Sequence, residues 1–330
     1  MQRREFIALL GSTAIAWPLA AHAQQPDQRR LIGVLMGYPE SDPTAQSMIA
    51  AVRSGLSKLG WTEGNNLRIE LRWSGADPDR VKTFAKDLVD LRPDVILSHT
   101  TAVTRALARE TRTIPIVFVN VAEAISSGFG ASLARPGGNI TGFSVEISEQ
   151  GGKWVELLKQ IAPRTVGMAL LLNPETSAPP RYFMPSIQAA ASSRGVEISA
   201  TQVRTKDEIE RVIADQARNP GGGLIVMPAA FNVANRELII ALAARHRVPA
   251  IYFSSLFTKS GGLIAYSPDY VEQFRLAAEY IDRILKGAKP GELPIQQAAK
   301  FELIINMTAA KALDLEVPLH LQQIADELIE

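Results

Sequence analysis

A catalytic serine or cysteine needs a base beside it, a zinc site needs clustered ligands, and a dinucleotide needs a glycine turn opening a helix. The chain is poor in all three. Cysteine is absent, which excludes disulfides, thiolate metal sites, a cysteine nucleophile and a lipid-modified N-terminal cysteine. Beyond residue 23 the histidines are His99, His246 and His320, and neither an HExxH nor a GxSxG string occurs. His246 sits in the basic end of a helical stretch, AARHR, where a cation complements the helix dipole. The glycine clusters are misplaced for a nucleotide. Gly128-Phe129-Gly130 lacks the third glycine, and Gly221-Gly222-Gly223 precedes a strand rather than following one. No cofactor, no metal and no catalytic residue is therefore expected.

What the chain does carry is a series of short loops rich in hydroxyls and amides. Each follows an apolar strand-like run. Tyr38, Ser41, Asp42 and Thr44 follow the first run; Ser98, His99, Thr100 and Thr101 follow the third; Asn120 and Glu123 follow the fourth. Asn173, Thr176 and Ser177 come next, then Phe231 and Asn232, then Tyr252 to Ser255. Most of these loops precede a helix, whose first N–H groups and partial positive charge suit a carboxylate or another anion. Helix capping explains Ser, Thr, Asp and Asn there equally well. As a ligand cleft, the set assigns polar contacts to Ser98, Thr100, Thr101, Asn120, Asn173, Ser177 and Asn232. Tyr38, Phe231 and Tyr252 would cover an apolar part of the ligand. Glu123 and Asp269 would meet a cationic group, Asp42 lies in the first loop, and first-turn charge on its helix is the plainer role for Asp269.

The elements that must position these residues alternate. Leu31 to Met36 (LIGVLM) is a continuous apolar run of the kind found in buried parallel strands. Asp42-Pro43 is an N-cap with proline in the first turn; Met48, Val52, Leu56 and Leu59 then line one face, and Gly60 stops the helix. The alternation repeats through strands at 67–73, 94–97 and 116–119. Leu133 to Gly142 (LARPGGNITG) is aperiodic and reads as a crossing. A second βα series follows from residue 148, and 290–294 reads as another crossing, with up to three in all. The expectation is two Rossmann-like, doubly wound lobes joined by a multi-segment hinge: 31–140 plus 267–292, and 141–266 plus 293–330.

Lys plus Arg is 35 and Asp plus Glu is 34, a balance that offers no basic surplus for nucleic acid. The chain opens with Arg3 and Arg4, an interrupted apolar run from Phe6 to Ala21, and Ala21-His22-Ala23. This is the pattern of a cleavable export signal over 1–23, twin-arginine-like, and it places the protein in a periplasm. Nothing suggests an obligate apolar interface, so a monomer is expected.

Five long strings carry a resemblance: LGWTEGNNLRIELRWSGADPDR (59–80), IPIVFVNVAEAISSGFGASLARPGGNITGFS (114–144), VMPAAFNVANRELIIALAARHRVPAIY (226–252), GGLIAYSPD (261–269) and YIDRILKGAKPGELPIQQAAKFELIINMTAAKALDLEVP (280–318). Together they resemble ABC transporter substrate-binding proteins of the tryptophan/tyrosine-type family. The resemblance implies a type I periplasmic binding protein whose lobes close on a small solute and hand it to a permease in the inner membrane. It implies ligand contacts at Thr100-Thr101-Ala102, where the family has a Thr-Pro-Ala-like loop. The family's Asp-Pro-Val motif falls on Glu123-Ala124-Ile125, and its Asn-Pro on Asn173-Pro174. Its Asp-Asn-Thr-like loop falls on Ala230-Phe231-Asn232, where the acid is lost, and Tyr266 and Asp269 match a segment near the hinge. With one of two acids missing, the ligand is an aromatic amino acid or an aromatic or carboxylate compound. The alternative of another class is an exported ligand-binding partner of a membrane sensor.

Overall fold

The computed structural model describes residues 29–177, 179–298 and 301–330; the export signal expected over 1–23 lies outside them. In chain order the elements of the first half are β1 (Arg30–Met36), α1 (Pro43–Lys58), β2 (Leu67–Trp73), α2 (Pro78–Asp90), β3 (Val95–His99), α3 (Thr101–Glu110), β4 (Ile116–Ala122) and β5 (Ile140–Val145). The second series runs α4 (Ile147–Ile161), β6 (Gly167–Leu172), α5 (Met184–Ser193), β7 (Glu197–Gln202), α6 (Lys206–Arg218), β8 (Gly222–Val226), α7 (Ala230–Ala234), α8 (Arg236–Arg245), β9 (Ala250–Tyr252), α9 (Ser255–Lys259) and β10 (Ile264–Pro268). The chain closes with α10 (Tyr270–Leu285), β11 (Gln296–Gln297), β12 (Phe301–Asn306), α11 (Met307–Ala312), α12 (Leu319–Ile324) and β13 (Glu327–Ile329).

Two sheets result. The first has the order β11-β5-β4-β3-β1-β2 and the second β13-β12-β10-β9-β8-β6-β7. All pairings are parallel except β10 with β12. Each sheet contains the 2-1-3-4-5 order of a doubly wound unit. Its strand order reverses between β1 and β3 in one lobe and between β6 and β8 in the other. A crevice forms at such a reversal, at the carboxyl ends of the strands.

The chain changes sheet three times: between β5 and α4 at Glu146, between β10 and α10 at Asp269, and between β11 and β12. All three expected boundaries therefore move; the second shifts from 267 to Asp269, because Ser267 and Pro268 pair with β12 in the second sheet. Ile140–Val145 pairs with β4 and belongs to the first sheet, so the crossing falls after Val145 and not at 140. Gln296–Gln297 pairs with β5, so the last crossing follows 297 and not 292. Gly142 is what hides β5 in the sequence. It interrupts the apolar run, yet its φ of +149° and a site where a Cβ would come 2.0 Å from the Phe118 carbonyl oxygen require glycine.

Helix α1 shows why the local signals worked. Asp42 caps it through Oδ1 at 2.9 Å from the Ala45 amide. Its buried face is Ala45, Met48, Ile49, Val52 and Leu56, spaced by three and four residues. Opposite lies α10, and at Gly55 the helices approach so closely that a Cβ would stand 2.7 Å from that of Ala278. In the second lobe the fully buried Trp154 donates its indole N–H to the Tyr266 carbonyl at 2.9 Å, so its one polar atom is satisfied inside the core. Among the described residues no helix is long and apolar enough to cross a membrane.

Candidate functional site

The loops at the two sheet reversals face each other and enclose an inner cavity of about 40 Å³. The first lobe contributes Tyr38 after β1, Thr100 and Thr101 after β3, Asn120 and Ala122 from the end of β4, and Tyr270 from the first turn of α10. The second lobe contributes Thr176 after β6, Pro228, Ala229 and Ala230 after β8, and Phe253 after β9. A second chamber of about 220 Å³ adjoins it, and Thr100, Thr176 and Ala230 line both.

Backbone strain concentrates on the first-lobe side. Thr100 has φ +79° and ψ +157°, a region that is essentially glycine's, and Asn120 and Glu123 have φ of +55° and +48°. Thr100 gives α3 no side-chain cap, so the amino end of that helix opens on the cavity with free N–H groups. Thr101 Oγ1 accepts the Ala122 amide at 3.0 Å, and the Asn120 amide donates to Gln273 Oε1 at 3.2 Å. These bonds hold the β3 and β4 loops in register with α10.

Behind this wall sits His99. It is fully buried, meets Tyr38 edge-on at a centroid distance of 4.4 Å, and accepts the Gly37 N–H at Nδ1. The Asn120 amide lies 3.4 Å from Nε2. Burial pushes the imidazole down to about 3, so His99 is neutral and packs as a flat polar spacer. Burial, then the charge of Asp42, drives the Tyr38 phenol well above its ordinary range; burial does the same to Tyr270. The inner cavity is thus lined by neutral hydroxyls, one amide and aromatic rings, with no carboxylate or cation among its lining residues.

The family model for ABC transporter substrate binding proteins matches residues 38–329. The chain belongs to this family. The "Tyrosine-binding protein" of Clostridioides difficile (strain R20291) is 26% identical over 293 residues, covering 86% of this chain and 80% of that protein. The ABC domain in complex with L-Trp from Streptococcus pneumonia has a TM-score of 0.82 at 21% identity, over 91% of this chain and 100% of that one. A conserved domain protein from Vibrio cholerae gives 0.82 at 24% identity, over 91% and 99%. These likenesses show the type I periplasmic binding fold, with two lobes about a cleft.

Within this solute-binding protein the sequence-expected residues divide sharply. Tyr38, Thr100, Thr101 and Asn120 come together at the inner cavity. The others do not line it. Ser98 is buried beneath α3 and shares a 2.8 Å hydrogen bond with the Thr104 hydroxyl. Asp42, besides capping α1, meets Arg236 of the second lobe at 2.8 Å. Glu123 Oε1 accepts the Ser148 amide at 2.9 Å and so satisfies an N–H in the first turn of α4 across the first crossing. Asn173 Oδ1 accepts the Glu175 amide and both the amide and hydroxyl of Thr176, while its Nδ2 donates to the Val203 carbonyl. The Ser177 hydroxyl accepts the Asn173 amide. Asn232 Nδ2 donates to the Leu171 and Met227 carbonyls. Phe231 is half-buried against the second-lobe core. Asp269 is the N-cap of α10, its side chain accepting the Glu272 amide, rather than the first-turn charge expected of it.

Tyr252 points the wrong way. It stacks on Phe257 at 4.9 Å and packs over Gly262, while the next residue, Phe253, meets Phe257 at 5.6 Å and borders the cavity. Successive residues of a strand face opposite sides, so a choice between neighbours at a strand end is a choice of face. Thr176 and Phe253 lie in loops that the sequence singles out without assigning them a contact, and Tyr270 is a cavity residue that motif reading passes over. For Tyr270 the available signal was its place directly after a helix cap at a crossing.

Proposed function

We propose that this protein is the solute-capturing component of an ABC importer, exported by its leader over residues 1–23 to the periplasm. It closes its two lobes on a small solute with a flat apolar part and delivers that solute to a permease in the inner membrane. The reading assigns it capture and no turnover. The observation that carries this is the inner cavity itself, built at both sheet reversals by loops of both lobes. A ligand held there touches the two lobes at once and favours the closed form by whatever affinity it gains from the second lobe. Contacts across the cleft support closure: the Asp42–Arg236 pair, the Tyr182 hydroxyl donating to the Ser126 carbonyl at 2.8 Å, and Tyr270 reaching the Phe253 carbonyl at 3.4 Å.

Tyr38, Tyr270 and Phe253 give the cavity its aromatic walls, which suits the aromatic solutes named for the relatives. Polar ends of the solute would be fixed by Thr100, Thr101, Asn120 and the open end of α3. The two acids expected to meet a cationic group, Glu123 and Asp269, accept the amides of Ser148 and Glu272, and Asp42 is paired with Arg236. The test is a thermal-shift panel on protein unfolded and refolded to strip carried solute. It covers aromatic and aliphatic amino acids, aromatic acids, purines and small carboxylates. A solute at about 1,000 times its Kd adds roughly 4 kcal/mol, several degrees in Tm. A shift confined to some members supports the reading. Silence from all of them would overturn it.

A further inference from the structure

The outer chamber is not accounted for by the cavity beside it. Its floor is a helix-spaced stripe of α3: Ala102, Arg105, Ala106 and Arg109. Its walls are apolar side chains of α2 and its approach loop, chiefly Ala76, Pro78 and Val81. Arg105 is half-buried, and neither it nor Arg109 has an ion-pair or hydrogen-bond partner among the described residues. Like charges at i and i+4 of one helix repel, and a bound anion would relieve that repulsion. A guanidinium half out of water in an apolar chamber calls for a planar, two-oxygen partner. The other charges facing the chamber are Lys82, already paired with Asp79 at 3.0 Å, and Glu175, exposed on a second-lobe loop. Cations therefore outnumber acids, and the unpaired ones lie on the first lobe.

We propose that this chamber is a second subsite of the cleft, seating the carboxylate end of an elongated aromatic acid against Arg105 while the ring end occupies the inner cavity. The inference rests on the solute-binding reading. Continuity supplies its geometry, since Thr100, Thr176 and Ala230 border both spaces and a chain of a few methylenes passing between them stays in contact with both lobes. It also specifies what is not held. An α-ammonium group finds no acid in the inner cavity, so the preferred solute is a plain carboxylic acid rather than an amino acid.

The experiment is calorimetric titration of the refolded protein with phenylacetate, 3-phenylpropanoate, 4-phenylbutanoate and 5-phenylpentanoate, each beside its primary amide. The expected result is an optimum chain length at which acid binds at least tenfold tighter than amide. Arg105→Gln should abolish that ratio and leave amide binding and Tm unchanged. Asn120→Ala should weaken acid and amide together. An acid-to-amide ratio near one, or a ratio untouched by Arg105→Gln, overturns the subsite. If no acid of the series binds while tryptophan or tyrosine shifts the Tm, the subsite falls and the solute-binding reading stands. If no acid of the series binds and the whole thermal-shift panel is also silent, both fall.

Discussion

The two sides of the cleft are built on the same strand order but differ in how their loops use polar groups. On the first-lobe side, Thr100 and Asn120 sit in left-handed backbone and present a hydroxyl and an amide to the cavity. On the second-lobe side, Asn173, Ser177 and Asn232 direct their side chains at their own loops and strand ends. What that side shows the solute is mostly Pro228, Ala229, Ala230 and Phe253. One face brings polar side chains to the cavity and the other covers it with a mostly apolar surface. The lesson is that the same residue type, asparagine at a post-strand loop, borders the cavity in one lobe and is a structural clasp in the other.

The contrast is sharpest in an asparagine pair. Asn173→Ala removes an oxygen that receives three donors and an amide that serves a buried carbonyl. At about 1 kcal/mol per net hydrogen bond, the loss of these four is about 4 kcal/mol of fold stability, read as a lower urea midpoint at unchanged slope. Asn120→Ala gives up weaker contacts to His99 and Tyr38 and puts alanine at φ +55°, so it should cost about 1–2 kcal/mol of stability, less than Asn173→Ala, and should also weaken solute binding. Equal losses of stability for the two would break the comparison. Next in size is the clasp between the faces. Arg236 is little exposed and Asp42 is fully buried, so Arg236→Met leaves a buried carboxylate that opening the lobes would rehydrate. The expected effect is about a tenfold rise in solute Kd with a larger radius of gyration by X-ray scattering, because the cost falls on the closed form.

Much of this architecture was legible. Runs such as LIGVLM, the Asp42-Pro43 cap and the GYPESDPT loop announce strand, helix start and cleft in turn. Three things were not. Strand β5 was hidden because Gly142, needed where the Phe118 backbone crowds it, breaks the apolar pattern that marks a strand. The exchange of Tyr252 for Phe253 was hidden because facing depends on where the last ladder pair falls, one residue either way. The fates of Glu123 and Asp42 were hidden because their partners, Ser148 and Arg236, lie in the other lobe, and no local spacing encodes a contact made only when two lobes meet. Capping residues and ligand residues share one vocabulary, and only tertiary contacts separate them.

Thr100 offers a smaller and opposite test. A β-branched residue held at φ +79° and ψ +157° stores strain of order 1–3 kcal/mol. Thr100→Gly releases it, while the added freedom of glycine in the unfolded chain takes back about 0.5–1 kcal/mol. The variant should be more stable by about 1 kcal/mol and bind solute more weakly, since the side chain borders both chambers. A destabilised variant would mean that the Thr100 packing against Gly37, within 3.1 Å of a Cβ placed there, outweighs the strain.

The smallest effect lies at the crossing between the lobes. Glu146 begins α4 and shares its surroundings with Glu123, the Ser144 hydroxyl at 3.0 Å and Gln297 of the last crossing. Burial, then its hydrogen bond to Glu123 and the charge of that group, raises its carboxyl from 4.5 to about 7. A carboxyl raised on folding holds its proton more tightly in the native state, so the native state binds more protons between the two values. Its contribution is therefore fully present below about 4.5 and is lost as pH rises through about 7. The group is partly exposed, so the change should be a modest fall in Tm between pH 5 and pH 8. Glu146→Gln keeps the shared hydrogen bond without the titration and should flatten that slope. An unchanged slope would place the pH dependence elsewhere and leave Glu123 acting at this crossing only as an acceptor for the first turn of α4.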